Sequence, residues 1–438
     1  MEHVREPNPA LRRHMAEAGW NGPALAAALL RVAVESGVQV RYDRTTVAHW
    51  LAGTQPRPPG PGLLVEAFTR RLGRPVSEDE LGIGAQQRKG ADGEAVSAPD
   101  PVRDLLRLHP LSGAVDPGRA AHPVLYQVRA LPGPRPPRSD GPGADRPGRI
   151  GPRHVRAVRE LTAFGIRYYD AYGGAPARSV LAAGLREQAL PWLRRSGNGR
   201  THTELLVTTA QLVRVLGRTY ADDRLPGEAQ RHHQLAYQLA DEADDPIGRA
   251  MALRDQSTLA GTLHNSRYAG ALAAAALAAL PADAPPGVRA FVLAQYAVAA
   301  AQEAGPVPAL RSLEEARRLA ARLQAENDPT GYPEPALLYQ VAQVHRALHD
   351  PRAALRALRA SLRIRPTGEY RTIGLSLLEV AHLELDTGDV HRARATRAAY
   401  LDLPQGPASG LAHARLIRLE ARLTGLLGRT ELTRPRRP

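Results

Sequence analysis

Apolar residues recur at three- and four-residue spacing along most of the chain, a pattern typical of amphipathic helices. From residue 153 to about residue 427 this pattern breaks every fifteen to twenty residues, roughly the length of one arm of a helical hairpin. Residues 1–84 have the same pattern with shorter helices, and no run of alternating β-branched residues competes with it anywhere. We therefore predict an all-α protein.

The helical pattern collapses between residues 85 and 152. From Leu131 to Pro152, twelve of twenty-two residues are proline or glycine, which neither a helix nor a central strand can sustain. This composition predicts an extended linker. Apolar groups within the linker could dock on a neighbouring domain: Leu105, Leu106, Leu108 and the run Val124–Val128. The predicted parts are an N-terminal helical domain (1–84), a Pro/Gly-rich linker (85–152), a helical array (153–428) and a basic tail (429–438).

The helical array repeats a short motif. Leu216, Gly217 and Tyr220, followed by Ala229 and Ala236, have the spacing of a tetratricopeptide unit, in which small residues let two antiparallel helices approach closely. Continuing that register places five alanines at the equivalent position: Ala229, Ala269, Ala309, Ala354 and Ala393. Their separations of 40, 40, 45 and 39 residues exceed the ~34 residues of the usual repeat. We interpret the array as a degenerate tetratricopeptide-like α-solenoid, with a non-repetitive helical bundle as the alternative.

The composition limits the chemistry that is open to the chain. It has 438 residues, a formal net charge of +14 and no cysteine, which excludes a disulfide framework, thiolate catalysis and thiolate-held metal centres. Lys89 is the only lysine, so arginine carries almost all of the positive charge. Because the planar guanidinium fork binds phosphate and carboxylate well, this composition favours an anionic partner.

No segment has the pattern of an export signal or of a membrane span. Residues 1–10 contain acids and no apolar core, unlike a secretory signal. The most apolar run, Ala269–Leu280, is closed by Pro281 and is shorter than the ~20 residues of a spanning helix. We expect a soluble, cytoplasmic protein with no membrane partner.

The most specific chemistry lies in one short predicted helix near the N-terminus. Asp43 is a good N-cap for this helix, and Gly53 would end it. Val47, Trp50 and Leu51 form the stripe that it buries. The residues left facing outward are small or hydrogen-bonding: Arg44, Thr45, Thr46, Ala48 and His49. A recognition helix needs such residues, because it must enter the major groove and present donors to base edges and phosphates.

This region resembles the Cro/repressor-like (XRE-type) helix-turn-helix family, through Thr46-Val47-x-x-Trp50-x-x-Gly53, the following Arg57-Pro58 and a preceding helix with Leu25, Ala26, Ala27 and Leu29. In that family the second helix of the pair docks in the major groove and the first crosses the DNA backbone. Here the first helix extends from Gly22 to about Glu35, and Ser36–Val40 lengthens the turn.

The whole chain is similar to actinobacterial regulators that join an XRE-like domain to tetratricopeptide repeats. The resemblance implies control of development or secondary metabolism, double-stranded DNA as a partner, and an effector bound by the repeats. We assign Arg44, Thr45, Thr46 and His49 to base edges, and Arg41 and Arg57 to phosphates. Residues 1–84 hold ten arginines against nine acids, so affinity for phosphates has to come from local clustering.

The repeat register also predicts which side chains line a groove. The first helix of each pair would place these along the concave face: Gln211, Arg214, Arg218, Arg254, Thr258, Phe291, Tyr339, Gln343, Arg346 and His382. Arginines with aromatic neighbours suit an acidic peptide or a free carboxylate. The alternative is that these are ordinary solvated arginines of an arginine-rich chain.

No motif indicates an enzyme. The chain has no G-x-S-x-G, no glycine-rich loop ending in Gly-Lys and no His-Glu-x-x-His, so we predict no catalytic site, no cofactor and no metal. His232 and His233 are adjacent on one predicted helix and diverge by ~100°, which predicts a surface position for His232 and an interior position for His233.

Our leading hypothesis is therefore a homodimeric, sequence-specific DNA-binding transcriptional regulator whose repeats mediate dimerisation and bind a peptide, protein or small effector. The alternative is a helical-repeat scaffold that captures a protein partner without binding DNA.

Overall fold

The computed structural model describes residues 7–83, 100–109, 124–132, 150–195, 199–325, 333–404 and 409–432. Within these residues every regular element is a helix, which confirms the all-α prediction. The N-terminal domain consists of α1 (Pro9–Glu17), α2 (Gly22–Glu35), α3 (Arg44–Leu51) and α4 (Gly60–Leu72). Their apolar faces meet in one core, to which the main contributors are Leu11, Leu25, Leu29, Trp50, Leu63 and Phe68.

The other helices form an array of antiparallel neighbours. A short helix, α5 (Pro101–Leu108), precedes the first hairpin, in which α6 (Pro152–Tyr172) packs against α7 (Gly174–Gly184); a π-helical turn (Leu185–Ala189) then leads into α8 (Leu190–Arg195). The following hairpins are α9 (Arg200–Asp222) with α10 (Pro226–Glu242), α11 (Pro246–Thr262) with α12 (Ser266–Ala279), α13 (Pro286–Glu303) with α14 (Pro306–Ala325), α15 (Glu334–Ala347) with α16 (Pro351–Ile364), and α17 (Tyr370–Asp386) with α18 (Val390–Leu401). The last helix is α19 (Gly410–Leu432).

The second helices of five hairpins share one register. The five alanines predicted at the small position are each the fourth residue of α10, α12, α14, α16 or α18. All five have 0% of their surface exposed, which confirms the predicted burial. A larger side chain there would push the two helices of a hairpin apart, so the small residue fixes how closely they approach.

The turns that lead into these second helices are also alike. Arg224, His264 and His349 have left-handed backbones, with φ of 61°, 60° and 60°, and each stands two residues before a helix. Asp350 and Asp389 then cap α16 and α18 by accepting hydrogen bonds from backbone N–H groups of the first turn, at 2.9 and 3.0 Å. The chain therefore reverses direction within each hairpin through residues of the turn itself.

The array curves until its last helices meet its first, since α17 packs against α6 and α19 against α9. Asp222, at the end of α9, ties the two ends together although it is only 1% exposed. It accepts hydrogen bonds from Gly174 N–H at 3.0 Å, Arg371 Nε at 2.8 Å and the Ser409 hydroxyl at 2.9 Å. Arg371 also lies 4.1 Å from the ring centroid of Tyr169. We call this junction the closing seam.

Two pieces of the predicted linker dock on the array. The first, α5, buries Leu105 in the core shared by α6–α10. At its end, His109 Nε2 lies 3.0 Å from His232 Nε2, and His232 Nδ1 lies 2.7 Å from the Glu228 carbonyl oxygen. His232 therefore donates through Nδ1 and accepts at Nε2, where His109 is the donor. His109, His232 and His233 are all buried, and we call them the histidine cluster.

The second piece, residues 124–132, has no regular secondary structure, and we call it the strap. Its Tyr126 is buried in the core around α10–α13. Gly227 leaves room for the backbone of the strap, because a Cβ at position 227 would lie 1.7 Å from the carbonyl oxygen of Val124. Gln127 N–H donates to Gln230 of α10 at 2.9 Å.

The strap also contacts the N-terminal domain. Leu125 packs against that domain's core, and Val128 N–H donates to Glu66 Oε2 at 2.8 Å. The other Glu66 oxygen accepts from Arg70 Nε at 2.6 Å, and Arg70 lies 5.7 Å from the Tyr126 ring centroid. Burial raises the pKa of Glu66, although Arg70 opposes this effect. The strap thus connects α4 to α10.

The docking predicted for the apolar groups of the linker is confirmed, although the sequence does not predict the helix α5 there. Two predictions need correction. The array does not end at residue 428, since α19 continues to Leu432. His232 is not a surface residue, because α5 covers it. Residues 84–99, 110–123, 133–149 and 433–438, within the predicted linker and tail, lie outside the described residues.

Candidate functional site

The start of α3 is held by a reciprocal N-cap. Asp43 Oδ1 accepts a hydrogen bond from Thr46 N–H at 2.8 Å and another from the Thr46 hydroxyl at 2.8 Å. These bonds lower the pKa of Asp43. At the other end, Gly53 N–H donates to the Trp50 carbonyl, and Gly53 has a left-handed φ of 98°. The predicted limits of this helix are therefore confirmed.

Aromatic contacts gather the segments around α3. The rings of Tyr42 and Trp50 meet edge to face with centroids 5.1 Å apart. A Cβ at Gly60 would lie 3.0 Å from Pro56 Cβ and 3.3 Å from the Tyr42 hydroxyl. Because these residues pack together, their chain neighbours Arg41, Arg44 and Arg57 belong to one end of the domain, and all three are exposed.

The acidic side chains of the domain are largely occupied elsewhere. Arg70 pairs with Glu66 and Glu35, and Arg74 pairs with Glu17 and Glu80. Within the described part of the chain, the three arginines around α3 form no ion pair. The domain's small net charge therefore hides a local excess of positive charge at this end.

The predicted DNA-contacting residues differ in their exposure and in whether their polar groups already form hydrogen bonds within the domain. Arg41, Arg44, Thr45, His49 and Arg57 are exposed. Thr46 is the exception, because its hydroxyl is already used in the N-cap of α3. Thr46 therefore fixes the start of the helix, and its assignment to base edges stays a prediction.

The connection between α2 and α3 is long, as expected. Residues 36–43 separate the two helices, and a Cβ at Gly22 would lie only 3.3 Å from Arg44 Cγ. The loop thus returns along α2, so that the beginnings of α2 and α3 lie side by side. Since helix N-termini carry partial positive charge, this arrangement adds to the positive end of the domain.

The inner face of the array has a first arginine group on α9, α11 and α13. Arg214 Nε lies 2.7 Å from Asp255 Oδ2, and Arg254 Nη1 lies 2.9 Å from Asp255 Oδ1. The guanidinium of Arg254 lies 3.8 Å from the Phe291 ring centroid. The two arginines hold the pKa of Asp255 well below its usual range despite complete burial.

A second group lies on α15, α17 and α19. Arg346 and Arg415 share the carboxylate of Glu379, at 3.0 and 3.3 Å, and together they lower its pKa. Tyr339 is hydrogen-bonded to Arg415. His382 Nε2 lies 3.1 Å from the Arg415 carbonyl oxygen.

The other predicted groove residues are less engaged. Gln211 and Thr258 are exposed, and Gln343 is half-buried. Arg218 lies 5.5 Å from the Tyr169 ring centroid, which places it between the first group and the closing seam. The predicted residues therefore lie on one set of helices but fall into two groups rather than one continuous binding strip.

Three of the predicted groove arginines have intramolecular carboxylate partners: Arg214, Arg254 and Arg346. Their binding of an acidic peptide or a free carboxylate stays a prediction. Sequence reasoning missed those partners, Asp255 and Glu379, and also Arg415. A signal existed for Asp255, because it adjoins Arg254 in the chain. The pairing of Glu379 with arginines on α15 and α19 depends on how the array curves.

Within the described residues, no helix is long and apolar enough to cross a membrane, and no group of three or more histidine, aspartate and glutamate side chains could hold a metal ion.

Comparison with known proteins finds a similarity in the N-terminal domain. Residues 11–84 match a family profile described as the SP15 N-terminal domain. The match begins inside α1 and continues past α4, so it coincides with the four-helix core described above. No curated protein matches the chain.

Proposed function

We propose that the chain is a sequence-specific DNA-binding transcriptional regulator. In this proposal α2 and α3 form a helix-turn-helix unit, α3 enters the major groove, and the array is a tetratricopeptide-like solenoid. The observation that carries the proposal is the set of exposed arginines, unpaired within the described residues, around the capped start of α3. Donors in this arrangement fit phosphates on both sides of a groove and a base edge between them.

Arg44 and His49 are the proposed base readers, with Thr45, and Arg41 and Arg57 are the proposed phosphate contacts. Full-length protein incubated with fragmented genomic DNA should retain a small set of fragments that share a sequence. Arg44→Ala should lose this selectivity, and Arg356→Ala, which removes an exposed arginine from α16, should keep it. Equal selectivity of Arg44→Ala and the unaltered protein would refute the assignment.

We propose that the protein acts as a dimer, since paired half-sites need two recognition helices. Support comes from Phe164, Tyr168 and Tyr172, which stack along α6 with ring centroids 5.5 and 4.6 Å apart. Phe164 is 43% exposed and Tyr172 is 44% exposed, and aromatic side chains of this kind are enriched at protein interfaces. Phe164→Glu should shift sedimentation from dimer to monomer, and a dimer that survives it would place the interface elsewhere.

The second candidate function is a scaffold that captures a protein without binding DNA. The eight-residue length of α3 and the long loop before it favour this alternative, because both depart from a tight helix-turn-helix. The two candidates differ in salt dependence. Binding to any duplex that weakens steeply with salt supports the regulator, and an absence of duplex binding at low salt supports the scaffold.

A further inference from the structure

The strap bonds to the array on one side and to the N-terminal domain on the other through its backbone. Gln127 N–H donates to Gln230 Oε1 at 2.9 Å, and Gln230 Nε2 donates to the Gln127 carbonyl oxygen at 2.5 Å. One residue further along, Val128 N–H donates to Glu66 Oε2 at 2.8 Å. Two successive residues of the strap therefore join α10 to α4.

The Glu66 carboxylate connects the strap to the end of α2. Glu66 is 0% exposed, and its Oε1 accepts a hydrogen bond from Arg70 Nε at 2.6 Å. Arg70 Nη1 donates to Glu35 Oε2 at 2.5 Å. Glu35 is the last residue of α2, so Arg70 holds the chain where the loop 36–43 leaves for α3. We call this series of hydrogen-bonded residues the relay: Gln230, Gln127, Val128, Glu66, Arg70 and Glu35.

The position of Arg70 depends on the strap. Arg70 Nη2 is buried and has no hydrogen-bond partner among the described residues, so two carboxylates and the ring of Tyr126, 5.7 Å away, surround the guanidinium. When the strap leaves, Glu66 loses one of its donors and Arg70 loses the ring. Because buried charged groups need their hydrogen bonds, Glu66 and Arg70 then rearrange, and the hold on Glu35 changes with them.

The strap can leave without breaking a helix, since it has no regular secondary structure. Tyr126 is its only buried side chain. The hydroxyl of Tyr126 is buried without a hydrogen-bond partner among the described residues, which weakens docking. The fit is nevertheless specific, because the backbone of the strap occupies the space where Gly227 lacks a side chain.

We propose that the strap couples the array to α3 through the relay, and that Glu66 and Arg70 are positioning residues for DNA recognition. With the strap docked, Glu35 and the loop 36–43 are fixed, and so is the direction of α3. Release of the strap frees the loop and lets α3 turn. The consequence for DNA rests on the proposed function, and the inference goes beyond it by placing a control point outside the DNA contacts.

The first test is hydrogen–deuterium exchange of full-length Gly227→Ala without DNA. Alanine suits a helix, but its Cβ collides with the carbonyl of Val124 and expels the strap without altering the N-terminal domain. Backbone amides of the strap and of the loop 36–43 should both exchange ~10-fold faster or more, since each loses a hydrogen-bonded anchor. The matched control is Gly425→Ala on α19, where a Cβ would meet nothing within 4 Å.

Glu35→Ala tests the order of the relay. It should accelerate exchange in the loop 36–43 and leave the strap protected, because it breaks the relay beyond Glu66. A loop that Gly227→Ala frees, although it lies in another domain, is a result that local damage at α10 would not produce.

The second test is the affinity for a selected genomic fragment. Gly227→Ala and Glu66→Gln, which offers one oxygen in place of two, should each weaken it by ~10-fold, within the usual range of coupling between sites. Affinity for a random duplex should change little, because Arg41 and Arg57 remain exposed. The double variant should lose no more than either single variant, since both break one relay. By linkage, the selected fragment should slow exchange of the strap by the same factor.

The proposal is overturned if Gly227→Ala leaves exchange of the strap unchanged, if it frees the strap but not the loop 36–43, or if it leaves the preference for the selected fragment intact. The exchange experiment contains no DNA. It therefore decides whether the relay exists even if Arg44→Ala shows that the proposed DNA contact is wrong.

Discussion

Replacing Asp222 by alanine should open the closing seam. The substitution removes the acceptor for the N–H of Gly174, the guanidinium of Arg371 and the hydroxyl of Ser409. The largest cost comes from Arg371, whose side chain is only 12% exposed and would keep its charge without a carboxylate partner. Removing one member of a buried ion pair typically costs ~3–5 kcal/mol. The unpaired N–H of Gly174 pushes the expected loss towards the upper end of that range.

Urea denaturation followed by circular dichroism measures this loss directly, and small-angle scattering reports whether the ends of the array separate. The matched control is Asp386→Ala, which breaks an ion pair whose partners are 39% and 47% exposed and should cost at most ~1 kcal/mol. If Asp222→Ala lowers the free energy of unfolding by no more than Asp386→Ala does, and leaves the scattering unchanged, the seam does not hold the array closed.

Three further predictions concern the histidine cluster, the repeat register and the phosphate contacts. Burial lowers the pKa of His109 to about 4, of His232 to about 3 and of His233 to about 4. The unfolded chain therefore binds more protons than the folded chain between about pH 4 and 6.5, and the free energy of unfolding should fall as the pH decreases through that window. His109→Phe should make this slope shallower in pH-dependent denaturation, while the exposed His391→Ala should leave it unchanged. Ala393→Leu should lower the free energy of unfolding by ~1–3 kcal/mol, because it overfills a buried position, whereas Ala395→Leu on the exposed side of α18 should stay within ~0.5 kcal/mol. Arg57→Ala should weaken binding to all duplexes and reduce the slope of log affinity against log salt by about 1, and an unchanged slope would remove Arg57 from the phosphate contacts.

Features that are encoded locally could be predicted from the sequence. The limits of α3 follow from Asp43 and Gly53, which cap its two ends through neighbours in the chain. The buried alanines of the second helices follow from spacing, because helical periodicity places them on the inner side of each hairpin. Both features depend on residues close together in the sequence.

Features that depend on the curvature of the array could not be predicted. Asp222 and Ser409 meet across 187 positions, because small rotations between successive hairpins accumulate until the ends touch. No local sequence pattern specifies the total rotation that accumulates along the array. The same reason explains why the sequence does not reveal Glu379 as the partner of Arg346. The burial of His232 has a different cause, because it depends on the docking of α5, whose neighbour His109 lies 123 positions from His232 in the chain.

The most direct test of the central claim is selection of genomic DNA fragments by full-length protein, followed by anisotropy titration of a selected fragment and of a random duplex of equal length. The account predicts that the selected fragment binds at least ~1,000-fold more tightly and that Arg44→Ala removes most of this difference. Equal affinities for the two duplexes, or a preference that Arg44→Ala leaves intact, would contradict it.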